Sequence, residues 1–189
     1  MIITESKLRE LTPQVRILNE ATAQRRTFSS LHSNFSVFLS HKHTDIDYLN
    51  RARQILERLS AFVYVDWADP SMQHPTNRET AERLKQKIRQ YDKFVFLASD
   101  AAIASRWCNW EIGFGDAHKY ATDKIAIFPI KQDNRDWTGS EFLQLYPSIE
   151  YYDGTTRYSD TRNLIPEGFY VKYHFDRNRI LPLIEWLAK

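Results

Sequence analysis

A single cysteine, Cys108, stands in 189 residues, so no intrachain disulfide can form and the chain suits a reducing compartment. Glycine is scarce, with five residues. None builds a Gly-rich turn between a strand and a helix, because Gly113-Phe114-Gly115 falls inside a helical stretch. That excludes the dinucleotide fingerprint and the P-loop. An excess of one charge is missing as well. Lys and Arg number 26 against 24 Asp and Glu, a net +2 without the basic stripe of a nucleic-acid binder. No apolar run approaches the ~18 residues of a membrane span. Met1-Ile2-Ile3-Thr4-Glu5-Ser6 has neither the basic nor the apolar part of a secretory leader. His41-x-His43 has no third ligand at a recognisable spacing, so no metal site is expected. These absences predict a soluble cytoplasmic domain with no nucleic-acid or membrane partner.

Aromatic residues are plentiful: 11 Phe, 10 Tyr and 5 Trp within a 42% apolar composition, enough for the core of one domain. Residues 1–33 read as a short helical extension, with Leu8, Leu11, Val15 and Leu18 at helical spacing and Pro13 between two short helices. Residues 34–189 then alternate strands and helices. The strand runs are Phe35–Ser40, Phe62–Asp66, Lys93–Ser99 and Ile125–Ile130, with Ile149–Tyr152 as a fifth. Helical faces follow: Leu49, Ala52, Ile55, Leu56 and Leu59 behind a cap at Thr44, then Ala81, Leu84 and Ile88 behind Thr76-Asn77-Arg78-Glu79. A final helix is expected over Arg179–Ala188, with Pro182 in its first turn. Short continuous apolar strands alternating with helices predict a flavodoxin-like parallel sheet of about five strands, covered on both faces.

The polar residues gather at strand ends. The first strand ends in Ser40-His41-Lys42-His43, the second in Asp66-Trp67-Ala68-Asp69, the third in Ser99-Asp100. In a parallel sheet these carboxyl ends share one rim, where open α/β sheets bind ligands. After the third strand comes Ser105-Arg106-Trp107-Cys108-Asn109-Trp110-Glu111. Trp107 and Glu111 are four residues apart and share a helix face, within an aromatic arc that includes Trp110 and Phe114. By pattern alone this is more often an aromatic core residue beside a solvated acid, and Ser99, Asp100 and Asp69 are more often turn and cap residues. Cys108 is expected to pack against the sheet.

Three ordered motifs carry a resemblance: Phe38-Leu39-Ser40-His41, Val65-Asp66-Trp67-Ala68-Asp69-Pro70 and the Trp107-Cys108-x-x-Glu111 element. Together they resemble the Toll/interleukin-1 receptor (TIR) domain in its bacterial, NAD-cleaving form. The likeness runs over about 34–152. It implies that Glu111 is catalytic, that Ser40 and His41 border the nucleotide pocket, and that Asp66–Thr76 is the loop over the site. Asp66, Trp67, Asp69, Ser99 and Trp107 complete the expected substrate-binding set. The chain departs from the signalling branch of the family. Its loop lacks Arg-Asp-x-x-Pro-Gly, and the third-box Phe-Trp is absent although Glu185-Trp186 is present. His41-Lys42-His43 stands where many relatives carry Tyr and Arg.

The implied activity is cleavage of NAD, as substrate and with no separate cofactor, to nicotinamide and either ADP-ribose or a cyclic isomer. The implied partners are other TIR domains, through self-association, and an effector that senses the product in antiviral defence or NAD depletion. Two alternatives stay open: a non-catalytic TIR–TIR interaction module and a nucleoside deoxyribosyltransferase-like enzyme.

Overall fold

The structure is a computed structural model and describes residues 1–14, 35–69, 78–137, 139–176 and 179–189, apart from the side chain of Trp67. Eight strands form one sheet: β1 (Ile3–Thr4), β2 (Phe35–Ser40), β3 (Ala61–Tyr64), β4 (Lys93–Ala98), β5 (Ile125–Lys131), β6 (Ser148–Tyr152), β7 (Gly168–Lys172) and β8 (Ile180–Pro182). The spatial order is β3-β2-β4-β5-β6-β7-β8, with β1 also on β5. From β3 to β6 every pairing is parallel. The order reverses between β2 and β4, which makes their carboxyl ends the switch point of the doubly wound fold.

Side chains alternate across each strand, and this sets two different cores. Phe38, Phe94, Phe96, Ile125 and Ile127 face one layer. It holds α3 (Arg78–Gln90), α4 (Asp100–Ile103) and α5 (Arg106–Lys119). Val37, Leu39, Val95, Leu97, Ala126 and Phe128 face the other. It holds α1 (Glu5–Leu11), α2 (Ile46–Arg58) and α6 (Leu183–Ala188). The first face is aromatic: Phe38 stacks on Phe94 with ring centroids 5.5 Å apart. Ser40, two residues beyond Phe38, is therefore delivered to the α5 side of the sheet at its carboxyl rim.

Several expectations are corrected. The five expected strands, β2 to β6, form the parallel centre of the sheet, and among the described residues three more join it: β7 and β8 as an antiparallel edge and β1 beside β5. Within Arg179–Ala188 the helix starts only at Leu183, since Ile180–Pro182 pairs with β7 and Pro182 sits at the N-cap. Thr44 caps no helix; it lies in a 3-10 turn, His43–Asp45, and Asp45 occupies the N-cap position of α2. The segment expected as a helical extension begins with a strand. Ile3 and Thr4 pair with Ile130 and Lys131 of β5, and Met1 exchanges backbone hydrogen bonds with Tyr151 of β6. β1 is thus a wedge in the fork where β5 and β6 separate. Leu8 of α1 is fully buried behind it. The second short helix after Pro13 and the capping residues Thr76 and Asn77 lie outside the described residues. No helix among the described residues is long and apolar enough to cross a membrane.

Lys93, at the amino end of β4, is 1% exposed and faces α6. Its Nζ has no hydrogen-bond acceptor among the described residues and rests over the Trp186 ring, 4.5 Å from the centroid. Burial pulls the ammonium from its ordinary 10.5 down to about 8, and the positive charge of Lys124 acts the same way. Lys93→Met, which keeps the stem and removes the charge, should stabilise the protein by about 1–4 kcal/mol at pH 7. A group whose folded pKa is depressed from a basic value penalises folding fully below that folded value, and the penalty is relieved up to the unfolded one. The gap between wild type and variant should accordingly narrow as pH rises from 8 to 10.5, as read by denaturant unfolding at a series of pH values.

Candidate active site

The buried stripe of α5 is Cys108, Glu111, Ile112, Gly115 and Lys119, at the spacing that turns one helix face to a sheet. Ser105 caps this helix, its hydroxyl accepting from the Cys108 amide. At Gly115 the helix lies so near the sheet that a Cβ would stand 3.1 Å from the Phe94 ring. One turn earlier this close approach carries Glu111 into the seam above the end of β2. The carboxyl is 3% exposed. Ser40 donates its hydroxyl proton to Oε2 of Glu111 at 2.5 Å. One turn toward the N-terminus, the Cys108 thiol donates to the carbonyl of His41 at 3.3 Å.

Burial lifts the Glu111 carboxyl to about 8, and the negative charge of Asp66 adds to the rise. Hydrogen bonds from Ser40 and Trp107 act in the opposite sense. His41 is buried beside them, its Nδ1 3.2 Å from the Leu39 carbonyl and 3.7 Å from the Asp66 carboxylate. Desolvation lowers its pKa more than Asp66 raises it, so its ring is neutral at pH 7. Trp107 is half-buried and stacks on Trp110 with centroids 4.8 Å apart; Trp110 in turn stacks on Phe114.

Ser40, His41, Asp66, Trp107 and Glu111 therefore meet around the switch point. The other expected site residues do not all join them. Asp69 receives the Tyr64 hydroxyl at 3.0 Å and lies 3.3 Å from the Lys87 ammonium. The short 3-10 turn Asp66–Ala68 after β3 turns it toward α3. Ser99 sits on the rim, but its hydroxyl is committed twice. It accepts from the Ala102 amide as the N-cap of α4 and donates to Asp45. The side chain of Trp67 and the loop residues 70–77 lie outside the described residues.

Two residues escaped the sequence reading. Asp45 is a buried acid that bridges the turn after β2 to the turn after β4. Its signal was an acid at the helix start, next to the threonine taken as the cap. Trp137 donates its indole N–H to the Ala98 carbonyl at 3.1 Å. With Asp100, Lys131, Gln132, Arg135 and Asp136 it lines a cleft of about 310 Å³. It follows the carboxyl end of β5, so the strand-end rule finds it when carried to the fourth strand.

The family profile described as TIR domain matches residues 37–165. The protein belongs to the TIR domain family. Its TIR domain is 30% identical over 119 residues to a probable 3' cyclic ADP-D-ribose synthase, ThsB', of Bacillus cereus; the match covers 61% of this chain and 60% of that protein. It is 26% identical over 83 residues to a putative cyclic ADP-D-ribose synthase, TIR2, of Cytobacillus dafuensis, covering 42% of this chain and 22% of that protein. The chain thus spans less than two thirds of the length of either relative. The TIR match includes every residue gathered at the switch point, Ser40 through Glu111.

Two outcomes check this geometry. Burial raises the Cys108 thiol to about 12, so a disulfide reagent at pH 8 should modify the native protein roughly a thousandfold more slowly than the denatured one. Ser99→Ala removes an N-cap acceptor and the partner of buried Asp45. It should lower unfolding free energy by about 1–3 kcal/mol in denaturant titrations.

Proposed function

We propose that this TIR domain cleaves the N-glycosidic bond between nicotinamide and ribose in NAD. The observation that carries the reading is a buried, hydrogen-bonded glutamate at the switch point, on the Trp107-x-x-x-Glu111 element. The nicotinamide ring of NAD is cationic. When the bond breaks, its electron pair leaves with the ring, which departs neutral and needs no proton. Positive charge then develops on the ribose. One carboxylate is sufficient for such a reaction, whereas an ordinary glycosidase uses two. Glu111, in its ionised form, faces that charge in a desolvated seam where electrostatic stabilisation is strong. Trp107 supplies a flat wall for the substrate, and His41 and Asp66 border the same opening.

Attack on the ribose by water gives ADP-ribose and a proton. Attack by a hydroxyl or by the adenine of the same molecule gives a cyclic isomer and a proton. The names of the two relatives favour the cyclic product. By the same family likeness the domain works in bacterial antiviral defence. Self-association through TIR–TIR contacts raises its activity, and a downstream effector reads its product. The reducing compartment suited to the lone, protonated Cys108 agrees with action in the cytoplasm. A purely scaffolding domain has no need of a buried carboxyl at the switch point of the sheet. A deoxyribosyltransferase-like enzyme would instead turn over deoxynucleosides and leave NAD intact.

Concentrated protein mixed with NAD should release nicotinamide, followed by chromatography, and the co-product peak identifies the linear or cyclic outcome. Glu111→Gln should reduce the rate by about 10²–10³-fold or more without loss of fold. Because the carboxylate is the active form and burial places its titration near 8, kcat/KM should climb with pH between 6 and 8 and level off above. Unchanged turnover in Glu111→Gln, or a flat profile across this range, would remove the mechanism.

A further inference from the structure

Ser40 stands in the expected substrate-binding set, yet its geometry assigns it other work. It is the last residue of β2 and 1% exposed. Its hydroxyl has one proton, and that proton lies on the 2.5 Å bond to Oε2 of Glu111. When Glu111 is ionised the carboxylate can only accept, so Ser40 must be the donor. In the reactive state its proton is therefore unavailable to any ligand.

The surroundings show why such a donor is needed. From the end of β3, Asp66 opposes a second negative charge. His41, beside Ser40, is neutral, and the Cys108 thiol on the same helix is protonated. None of these favours the anion. The groups that do are the Ser40 hydroxyl and Trp107, four residues earlier on α5. The Ser40 hydroxyl orients the carboxylate from the end of β2 and leaves its remaining lone pairs for a ribose hydroxyl.

We propose that Ser40 is a positioning residue for Glu111: it holds the carboxyl in one orientation and favours its ionised form, without touching the substrate. The assignment rests on the reading of Glu111 as the group that faces the ribose. The contact between the Cys108 thiol and the His41 carbonyl, one residue further along and one turn away, is a second tie between α5 and the end of β2 that removal of the Ser40 hydroxyl leaves in place.

The test compares wild type, Ser40→Ala and Ser40→Thr, with glutamate labelled at the carboxyl carbon. The Glu111 signal is identified by its loss in Glu111→Gln, and circular dichroism verifies the fold of each variant. NMR titration of Ser40→Ala should place the Glu111 midpoint higher than in wild type by about one pH unit, because a hydrogen bond to the charged form is gone. Ser40→Thr, which keeps the hydroxyl, should titrate as wild type does. With NAD, kcat of Ser40→Ala should fall roughly ten- to hundredfold with KM within about threefold. The acid limb of kcat/KM should move up with the NMR midpoint. An unmoved midpoint, or a raised KM at unchanged kcat, overturns the proposal; the second result makes Ser40 a substrate contact. A wild-type protein that releases no nicotinamide while Ser40→Ala still moves the midpoint overturns the NAD reading and upholds the role of Ser40.

Discussion

Burying the carboxyl of Glu111 is the demand from which the geometry of the crevice follows. A carboxyl taken out of water without partners is costly in free energy, and the Ser40 hydroxyl supplies a donor to it while the Asp66 charge holds back its ionisation. Ser40 ends its strand on the correct face because the alternation through Phe38 places it there. Gly115 lets α5 approach Phe94, and the small Cys108 keeps that approach one turn before the glutamate. A side chain at position 115 would press on the Phe94 ring at 3.1 Å. The aromatic face of the sheet supports this spacing, since its rings pack across neighbouring strands, Phe38 against both Tyr64 and Phe94.

The charged groups divide between the two ends of the sheet. At the carboxyl end, Glu111, Asp66 and Asp45 surround a neutral imidazole. At the amino end, two lysines are buried by different means. Lys119 donates to the carbonyls of Arg89 and Tyr91 at 3.2 and 2.5 Å. Lys93 rests on an indole instead. The shifted ionisation at the carboxyl end belongs to Glu111, at the switch point, whereas the Lys93 ammonium at the amino end is covered by α6. An ionisable group shifted by burial is a pointer to function only when a ligand can reach it.

Much of this was legible in the chain. The four central strands announce themselves as short apolar runs, and the acids and hydroxyls at their ends map onto one rim by topology. The TIR motifs identify Glu111, and the structure adds that Cys108 and Ile112 share its stripe. Other features have no local signal. β1 is two residues long and exists because β5 and β6 leave a gap for it. β7 follows an irregular stretch rich in Tyr, Thr and Arg, and its strand character comes from pairing with β6 rather than from any alternation of its own. Asp69 is on the correct loop by sequence, but the twist of a 3-10 turn decides which way it looks, and Tyr64 and Lys87 claim it. Such choices belong to tertiary contacts, which local propensity does not encode.

The wedge formed by β1 bears on how the molecule is made. Ile3 precedes by well over a hundred positions the strands that receive it, which close around residues 130 and 151. Met1 and Tyr151 are 150 positions apart in the chain. During synthesis β1 must therefore wait, unpartnered, until residues 130–151 have emerged. The fork it fills exposes edge groups of β5 and β6 in the meantime, open to any other extended chain. Parallel pairing over such a separation is intrinsically slow. Seating β1 is thus a late event of assembly, and it seals a sheet whose carboxyl rim can already have formed.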